Sequence, residues 1–576
     1  MNRIDRVVIA GLVVVVAIAA MLIGGPALTP TPLLHPSESP TSAPITTYTE
    51  GVLGRPTAVN PLAARTQADR DLVALLFEGL VTLDAHGDPR PALARSWSTL
   101  PDGTSWVFHL RPDAQWHDGE PVTADDVVFT IATIQDPDYH GPGAGSWTGI
   151  SASVVDPLTV RFDLDQPIGG FIDLATQPIA PAHLLADTPV ASLPSDPFGS
   201  EPVGSGPYAL VELDKDHAVL EPAAAVAAPA TGDASGPPAS VDPLATLRPT
   251  ARPGVVEPGI GRLEFRFFDD PTLLAGAFRD GKLDAVSGLD PAAAAALSDV
   301  PGSRLLREPA TTLTAVALNL RPSRPQFSDA RTRAALLGAI DRSRILTVAY
   351  GGLGTQADGL VPPSSWAFDP AASPPIPRDL KAAAKALTAA GWTKQKDGWH
   401  PGKAAAPQEI NLLVPDHAVN PILFAVGSQV AADWKALGFV IKVEEVDPAV
   451  LAADRLRSAN YDAAVVSVTI GHDPDLYPLL ASTQTQTGGA NIFGLQDPTL
   501  DTLLEKARAP GAVDARKAAF SAVQKRLAAG SYVLPIAWPD TVVVLGNRLQ
   551  GTENRAIADG SERFWDVLDW RLADDR

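Results

Sequence analysis

Residues 91–129, PALARSWSTLPDGTSWVFHLRPDAQWHDGEPVTADDVVF, carry the most structural information in the chain. Apolar residues alternate with polar ones over Ser105–Leu110, which predicts a half-buried β-strand because successive side chains of a strand point to opposite faces. Thr123 is a favourable N-cap, and the two aspartates that follow it suit the positive end of a helix dipole. The stretch therefore predicts a turn-punctuated β unit that leads into a capped helix.

The composition limits the classes of protein to which the chain can belong. Its 576 residues suffice for two or three domains, and 45% of them are apolar, as in globular proteins with a substantial core. The net charge of −21 argues against nucleic acid as a partner, because phosphate binding needs a concentrated basic face. The chain has no cysteine, which excludes disulfides, thiol nucleophiles and lipidation on cysteine.

The N-terminus carries the signal for the compartment. Arg3 and Arg6 precede an apolar run over residues 7–23, which is at the short end for a membrane span and slightly long for the core of a signal peptide. The basic flank predicts that the rest of the chain crosses the membrane. Residues 1–25 are interpreted as a membrane anchor, with a cleaved signal segment as the open alternative.

Two low-complexity segments interrupt the globular pattern. Residues 26–44 are rich in Pro, Ser and Thr and are interpreted as a disordered tether between the membrane and the fold. Residues 222–258 combine many prolines with small residues, which predicts a mostly disordered surface insertion rather than a domain linker.

Several further motifs follow in a fixed order along the chain. They are LLFEGLVTLDAHGDPRPALARSW (75–97), VGSGPYAL (203–210), FRDGKLDAV (278–286), LNLRPSRPQFSDARTRAALLGAIDRSRI (318–345), YDAAVVSVTIGHDPDLYPLL (461–480) and ANIFGLQDPTLDTLLEKA (490–507). Together with residues 91–129, this series resembles the extracytoplasmic solute-binding proteins of family 5, the peptide/nickel class. The class comprises receptors of ABC importers, including oligopeptide- and dipeptide-binding proteins.

The resemblance implies a mixed α/β (α+β) fold in which two lobes surround a hinge. It is the large, peptide-binding type of the class II periplasmic-binding-protein-like fold, with an extra inserted subdomain. The expected parts are lobe I at residues 45–80, 200–318 and 536–576, the inserted subdomain at 81–199, and lobe II at 319–535. Chain crossings near residues 318–321 and 533–538 would form the hinge, and closure about such a hinge can trap a ligand.

The resemblance also implies where a peptide would bind. In peptide-binding relatives the ligand lies extended between the lobes, and a carboxylate three positions after a tryptophan binds its amine. Here the tryptophan position falls on Thr469 and the aspartate position on His472, so the element departs from the family pattern. Because Asp473 and Asp475 are close by, we expect the loop at residues 472–475 to face the cleft, with a solvated structural loop as the alternative.

Other candidate ligand contacts lie in segments that are rich in Gly and Pro. Aromatic rings there are suited to stack on a ligand, although anchoring in the core explains them equally well. A glycine lets a ligand approach the backbone, and tight turn geometry is its alternative explanation. The candidates are Trp147, Trp366, Phe368, Gly204, Gly206 and, at the predicted crossing, Asn319.

The sequence contains no motif for catalysis or for a metal centre. Its ten histidines are scattered without an H-x-x-x-H pair, and neither a nucleophile elbow nor a P-loop occurs. No catalytic residue, metal ligand or cofactor is therefore predicted.

The resemblance implies a monomeric extracytoplasmic receptor that captures peptides or another small solute and delivers them to the permease subunits of an ABC importer. Its N-terminal segment would hold it at the outer face of the cytoplasmic membrane, or release it if cleaved. Two alternatives remain: an anchored envelope protein that keeps the receptor fold without transporting, and a receptor for a non-peptide solute such as a metal chelate.

Overall fold

The fold is organised around one long strand, Val533–Gly546, which lies in a twelve-stranded sheet. The computed structural model describes residues 46–223, 258–486 and 489–573. The predicted anchor and tether, and nearly all of the predicted insertion at 222–258, lie outside the described residues. Within the described part of the chain, no helix combines the length and the apolar character needed to span a membrane.

The long strand divides the large sheet into two arms. Up to Pro539 it pairs with strands of what we call the second arm, and from Asp540 onward it pairs with strands of the first arm. The first arm contains Thr47–Leu53, Tyr208–Leu213, His217–Pro222, Arg262–Phe268, Ala285–Ser287 and Ser303–Pro309. The second arm contains Thr312–Leu318, Gly354–Gln356, Glu409–Pro415, Val440–Val446 and Ala463–Thr469.

The chain passes between the arms at two places. The first passage is at Ala310 and Thr311, earlier than the expected residues 318–321, because Thr312–Leu318 already pairs with Ala463–Thr469 of the second arm. The second passage is within the long strand, just after the expected residues 533–538, and it is continuous because the strand keeps hydrogen-bonded partners on both sides of Pro539.

A separate four-stranded antiparallel sheet precedes most of the first arm in sequence. Its strands are Ala94–Thr99, Ser105–Leu110, Thr159–Leu164 and Ile150–Asp156. The strand predicted at Ser105–Leu110 is confirmed, and Phe108 packs against Phe162 and Phe171 in its buried aromatic core. The predicted N-cap is confirmed too, since Thr123 forms a capping box at the start of the helix Ala124–Gln135.

α-Helices cover both faces of the second arm, and others pack on the first arm and on the four-stranded sheet. Leu313, Ala315 and Ala317 belong to one buried apolar cluster, whereas Val316 and Leu318 belong to another. Alternate residues of one strand therefore contribute to two cores, as in a sheet that is covered on both sides. The helices are Gln67–Leu76, Ala124–Gln135, Phe171–Leu174, Ala182–Leu185, Pro271–Arg279, Pro291–Ser298, Ala330–Ala339, Arg342–Tyr350, Leu380–Ala389, Pro421–Leu437, Pro448–Val450, Tyr477–Leu480, Pro498–Arg508 and Val513–Gly530.

Candidate functional site

A cavity of about 490 Å³ lies beside the helix Gln67–Leu76. Its walls come from that helix, the strand Val81–Leu83, the loop at 142–147, the helix Phe171–Leu174 and the C-terminal segment at 555–568. The volume falls within the range of about 300–1,000 Å³ that is typical of small-ligand sites. The cavity is therefore large enough to be a binding site.

The loop at residues 472–475, which we call the closing loop, reaches the cavity from the second arm. The His472 ring nitrogen Nε2 lies 2.8 Å from a carboxylate oxygen of Glu562, and the Asp473 backbone N–H donates a 2.8 Å hydrogen bond to Asp173. Glu562 and Asp173 both line the cavity. The closing loop thus contacts two side chains of the cavity wall, as expected for a loop that faces a cleft.

Ion pairs within the second arm fix the closing loop. The Arg516 guanidinium donates to both oxygens of Asp473, at 2.6 and 3.0 Å, and Arg508 lies 3.1 Å from Asp475. Burial raises the pKa of Asp475, and the cation of Arg508 opposes that shift. Because both carboxylates of the loop are paired with arginine, neither is left as an isolated charge for a ligand.

Two glycines allow the closing loop to approach the wall. A Cβ atom added to Gly170 would lie 2.6 Å from the Cβ and Cγ of Asp473, and one added to Gly169 would lie 2.9 Å from the Arg516 guanidinium. The Gly169 N–H also donates a 2.7 Å hydrogen bond to the Arg508 carbonyl. Only residues without side chains permit the two surfaces to meet this closely.

The charged groups of the cavity wall are mostly paired. Four carboxylates and two arginines line it. The pairs are Glu78 with Arg111 at 2.6 Å, Asp559 with Arg70 at 2.8 Å, and Glu562 with Arg555 at 3.4 Å in addition to His472. Asp173, the fourth carboxylate, forms no ion pair with any described residue. Burial, followed by the nearby Asp473 carboxylate, raises the pKa of Asp173 to about 6.

Trp147 is the one predicted aromatic contact that lines the cavity. Its side chain is buried and packs against Phe162 and Phe171, with ring centroids 5.8 and 6.1 Å apart. It therefore joins the cavity wall to the core of the four-stranded sheet, and stacking on a ligand stays a prediction.

Trp366, Phe368 and Asn319 do not line the cavity. Trp366 packs edge-on against Phe520 and lies under the Arg516 guanidinium, 4.9 Å from its ring centroid, so it supports the closing loop from behind. Phe368 packs on the same apolar cluster. Asn319 is fully buried, and its amide donates to the carbonyls of residues 459 and 461, which makes it a structural link within the second arm.

Gly204 and Gly206 pack against the end of the helix Gln67–Leu76. A Cβ atom on Gly204 would lie on the Leu76 carbonyl, and the Gly206 N–H donates a 2.8 Å hydrogen bond to that same oxygen. Both glycines thus close the C-terminal end of the helix Gln67–Leu76, and neither lines the cavity. A contact of either glycine with a ligand stays a prediction.

The sequence-based candidates missed the residues with which the closing loop interacts. Asp173, Glu562 and Arg516 belong to segments far from residues 472–475 in the chain, and none of them lies in a local motif. The one signal that could have found the contact surface is the Gly169-Gly170 pair directly before Phe171.

Among residues 46–223, 258–486 and 489–573, two groups of potential metal ligands occur at the surface, away from the cavity. They are Glu212, Asp214 and His217 in one group, and Asp416, His417 and Glu445 in the other. In each group the histidine is paired with carboxylates, His217 with Asp214 at 3.0 Å and His417 with Glu445 at 2.7 Å. Such exposed pairs are common surface features, and nothing further points to a metal ion.

Comparison with known proteins agrees with this architecture. The family model described as "Bacterial extracellular solute-binding proteins, family 5 Middle" matches residues 88–491. The match covers well over half of the chain, so the chain belongs to the family 5 extracellular solute-binding proteins.

Individual relatives are similar over almost the whole chain. "Protein XP55" of Streptomyces lividans is 28% identical over 87% of this chain and 85% of its own length. The structure of the oligopeptide-binding protein AppA from Bacillus subtilis in complex with a nonapeptide superposes with a TM-score of 0.70, 21% identity, and coverage of 92% of this chain and 100% of that one. NikZ from Campylobacter jejuni in complex with Ni(L-His) gives a TM-score of 0.68, 23% identity and the same coverage. These structures share the two-lobed binding-protein fold.

Proposed function

We propose that the protein is an extracytoplasmic receptor that captures peptides between two lobes and delivers them to the permease of an ABC importer. The lobes would be the two arms of the large sheet, with 81–199 inserted in lobe I as a subdomain. Because the chain passes between the arms at residues 310–311 and 539–540, lobe I would comprise about 45–80, 200–309 and 540–576, and lobe II about 312–539, instead of the expected boundaries at 318/319 and 535/536. We propose further that the receptor is a monomer held at the membrane by residues 1–25 and the tether at 26–44.

One observation carries this proposal: a cavity of about 490 Å³, whose walls come from segments outside the second arm, is contacted at its rim by a loop of the second arm. The contacts of His472 with Glu562 and of Asp473 with Asp173 would be broken if the arms moved apart. Because the two passages between the arms are short, a hinge movement there would open the cavity and admit a solute. Binding energy would then be converted into a closed shape that a permease can recognise.

The proposal is tested on the full-length protein by two measurements. Small molecules released on denaturation are identified by mass spectrometry, and a pool of tri- to pentapeptides is added while the melting temperature and the radius of gyration are followed. We expect a co-purified or added peptide to raise the melting temperature and to compact the protein. The absence of both responses across the pool would contradict a peptide receptor.

A non-peptide solute such as a metal chelate is the second candidate, because the fold is shared with NikZ, which was solved with Ni(L-His). The same assay with Ni²⁺ plus L-histidine separates the two, since a chelate receptor responds to the complex and not to the peptide pool.

A further inference from the structure

One carboxylate of the cavity wall forms no ion pair with a described residue, although His472 and Arg516 lie near enough to influence its pKa. Asp173 lines the cavity, belongs to the short helix Phe171–Leu174, and is the lining carboxylate without an ion pair among the described residues. One of its oxygens accepts the Asp473 N–H at 2.8 Å. A partly buried anion of this kind is costly unless a positive group meets it.

The neighbouring acids cannot take over that role. The Asp473 carboxylate is held by both terminal nitrogens of Arg516, and Asp475 is held by Arg508. Glu562 is shared by His472 and Arg555. An amine-binding carboxylate was expected in the closing loop, but both carboxylates of that loop are paired with arginine. The carboxylate without an ion pair is Asp173, which faces the loop from the cavity wall.

We propose that Asp173 binds a primary ammonium group of the solute, so that the ligand's positively charged end lies against the closing loop. The proposal rests on the proposed function, because it assigns a charge and an orientation to the ligand of that same cavity. For a peptide, the group would be the α-ammonium of its N-terminus.

The same contact would link occupancy to closure. In the closed arrangement, burial is the main cause that raises the pKa of Asp173, followed by the Asp473 carboxylate, whereas His472 and Arg516 oppose that shift. An ammonium group on Asp173 would offset the cost of burying this carboxylate while the Asp473 N–H still donates to it. A cationic ligand therefore favours the closed state at the atoms where the two arms meet.

The test uses Asp173→Asn in the full-length protein. Asparagine keeps an oxygen that can accept the Asp473 N–H, so closure stays possible while the negative charge is lost. The matched control is Asp138→Asn, which removes an exposed carboxylate that does not line the cavity. Each protein is titrated with a pool of tri- to pentapeptides with free N-termini and with the same pool after N-acetylation, and the shift in melting temperature gives the affinity.

We expect the free-amine pool to stabilise the wild type and Asp138→Asn equally. Loss of one charge-assisted hydrogen bond predicts binding that is about 10- to 100-fold weaker for Asp173→Asn, and similarly weaker for the acetylated pool with the wild type. If Asp173→Asn responds to the free-amine pool as strongly as the wild type does, Asp173 is not the anchor, although the peptide receptor stands.

The failure of the proposed function gives a different result. If neither pool stabilises the wild type, a peptide receptor is contradicted. The proposed ammonium site is then tested by adding spermidine, or its N-acetylated form, to the wild type and to Asp173→Asn and measuring the shift in melting temperature. A response to spermidine that disappears in Asp173→Asn supports the assignment to Asp173. Equal responses of the two proteins, or no response from either, overturn it.

Discussion

The Arg516 guanidinium holds both carboxylate oxygens of Asp473, at 2.6 and 3.0 Å, and the two side chains are only 11% and 10% exposed. The same guanidinium lies against Trp366. This pair fixes the closing loop from the second arm, and Asp473 then offers its backbone N–H to Asp173 on the cavity wall. The loop that contacts the wall is thus positioned by a helix that lies outside the cavity.

Replacing Arg516 with glutamine should destabilise the protein and weaken ligand-induced closure. The Asp473 carboxylate would stay buried without its cation, and breaking such a pair typically costs about 3–5 kcal/mol. Urea denaturation gives the free energy of unfolding. Arg331→Gln, which removes an exposed pair with Asp329, is the control and should cost less than about 1 kcal/mol. Equal losses in the two variants would show that the Arg516 pair has no special role.

Local rules in the sequence predicted much of the fold. The strand Ser105–Leu110 and the cap at Thr123 follow from alternation and from helix capping, which depend only on neighbouring residues. The crossing expected near residues 533–538 proves to be part of one strand that continues to Gly546. The strand continues past Pro539 because residues 540–546 pair with Ser303–Pro309, and this long-range pairing leaves no signal in the local sequence.

The candidate site was harder to predict from the sequence, because it too depends on contacts between segments that are far apart in the chain. The closing loop could be placed because it lies in a motif, whereas its partners depend on contacts between distant segments. Asp173 is 300 positions from Asp473, and Glu562 is 90 positions from His472. Trp366 and Asn319 illustrate the converse, since aromatic and polar residues near crossings can equally serve packing.

Gly170→Ala should obstruct closure without straining the backbone. Gly170 has φ of −92°, which alanine adopts readily, but the added Cβ would lie 2.6 Å from Asp473. Overpacking of this kind costs about 1–3 kcal/mol, so ligand affinity should fall by roughly 10-fold or more. Small-angle scattering with a saturating ligand should show a larger radius of gyration than for the wild type.

Gly276→Ala provides the control for that experiment. Gly276 lies in the helix Pro271–Arg279, with no atom within 4 Å of an added Cβ, so the change should raise stability by about 0.5–1 kcal/mol and leave closure intact. Full ligand-induced compaction of Gly170→Ala would refute the steric role of Gly170.

Glu308→Gln should make the protein more stable at alkaline pH. Glu308 is 1% exposed at the end of the strand Ser303–Pro309, and neither of its carboxylate oxygens has a hydrogen-bond partner among the described residues. Burial raises its pKa to about 8, well above the value of about 4.3 in an unfolded chain. The contribution of protonated Glu308 to the free energy of unfolding is therefore fully present below about pH 4.3, and it is lost as the pH rises through about 8.

Denaturation between pH 5 and 9 measures this effect. The wild type should lose stability across that range, whereas Glu308→Gln should lose less, because glutamine does not ionise. At pH 9 the variant should exceed the wild type by at least about 1–3 kcal/mol, since a buried group without a partner costs more when it is charged than when it is neutral. Glu409→Gln, at an exposed carboxylate, should follow the wild-type profile. A variant profile parallel to that of the wild type would mean that Glu308 does not titrate in this range.

Arg563→Met should be the most destabilising of these substitutions. Arg563 donates to Glu50 at 2.8 Å and to Asp71 at 2.7 and 2.8 Å, and all three side chains are at most 3% exposed. Removing the one cation leaves two buried carboxylates, at a cost of at least about 3–5 kcal/mol. Burial already raises the pKa of Asp71, so the variant should take up protons on folding and should recover part of its stability at acidic pH.

The compensated triple variant Arg563→Met, Glu50→Leu, Asp71→Leu distinguishes charge from packing at this site. Apolar side chains of similar volume can replace a buried ionic group with little loss, because no desolvated charge remains. We therefore expect the triple variant to regain most of the melting temperature that Arg563→Met loses. If the triple variant is as unstable as the single one, the loss comes from the packing of Arg563 against Phe564 and not from the uncompensated carboxylates.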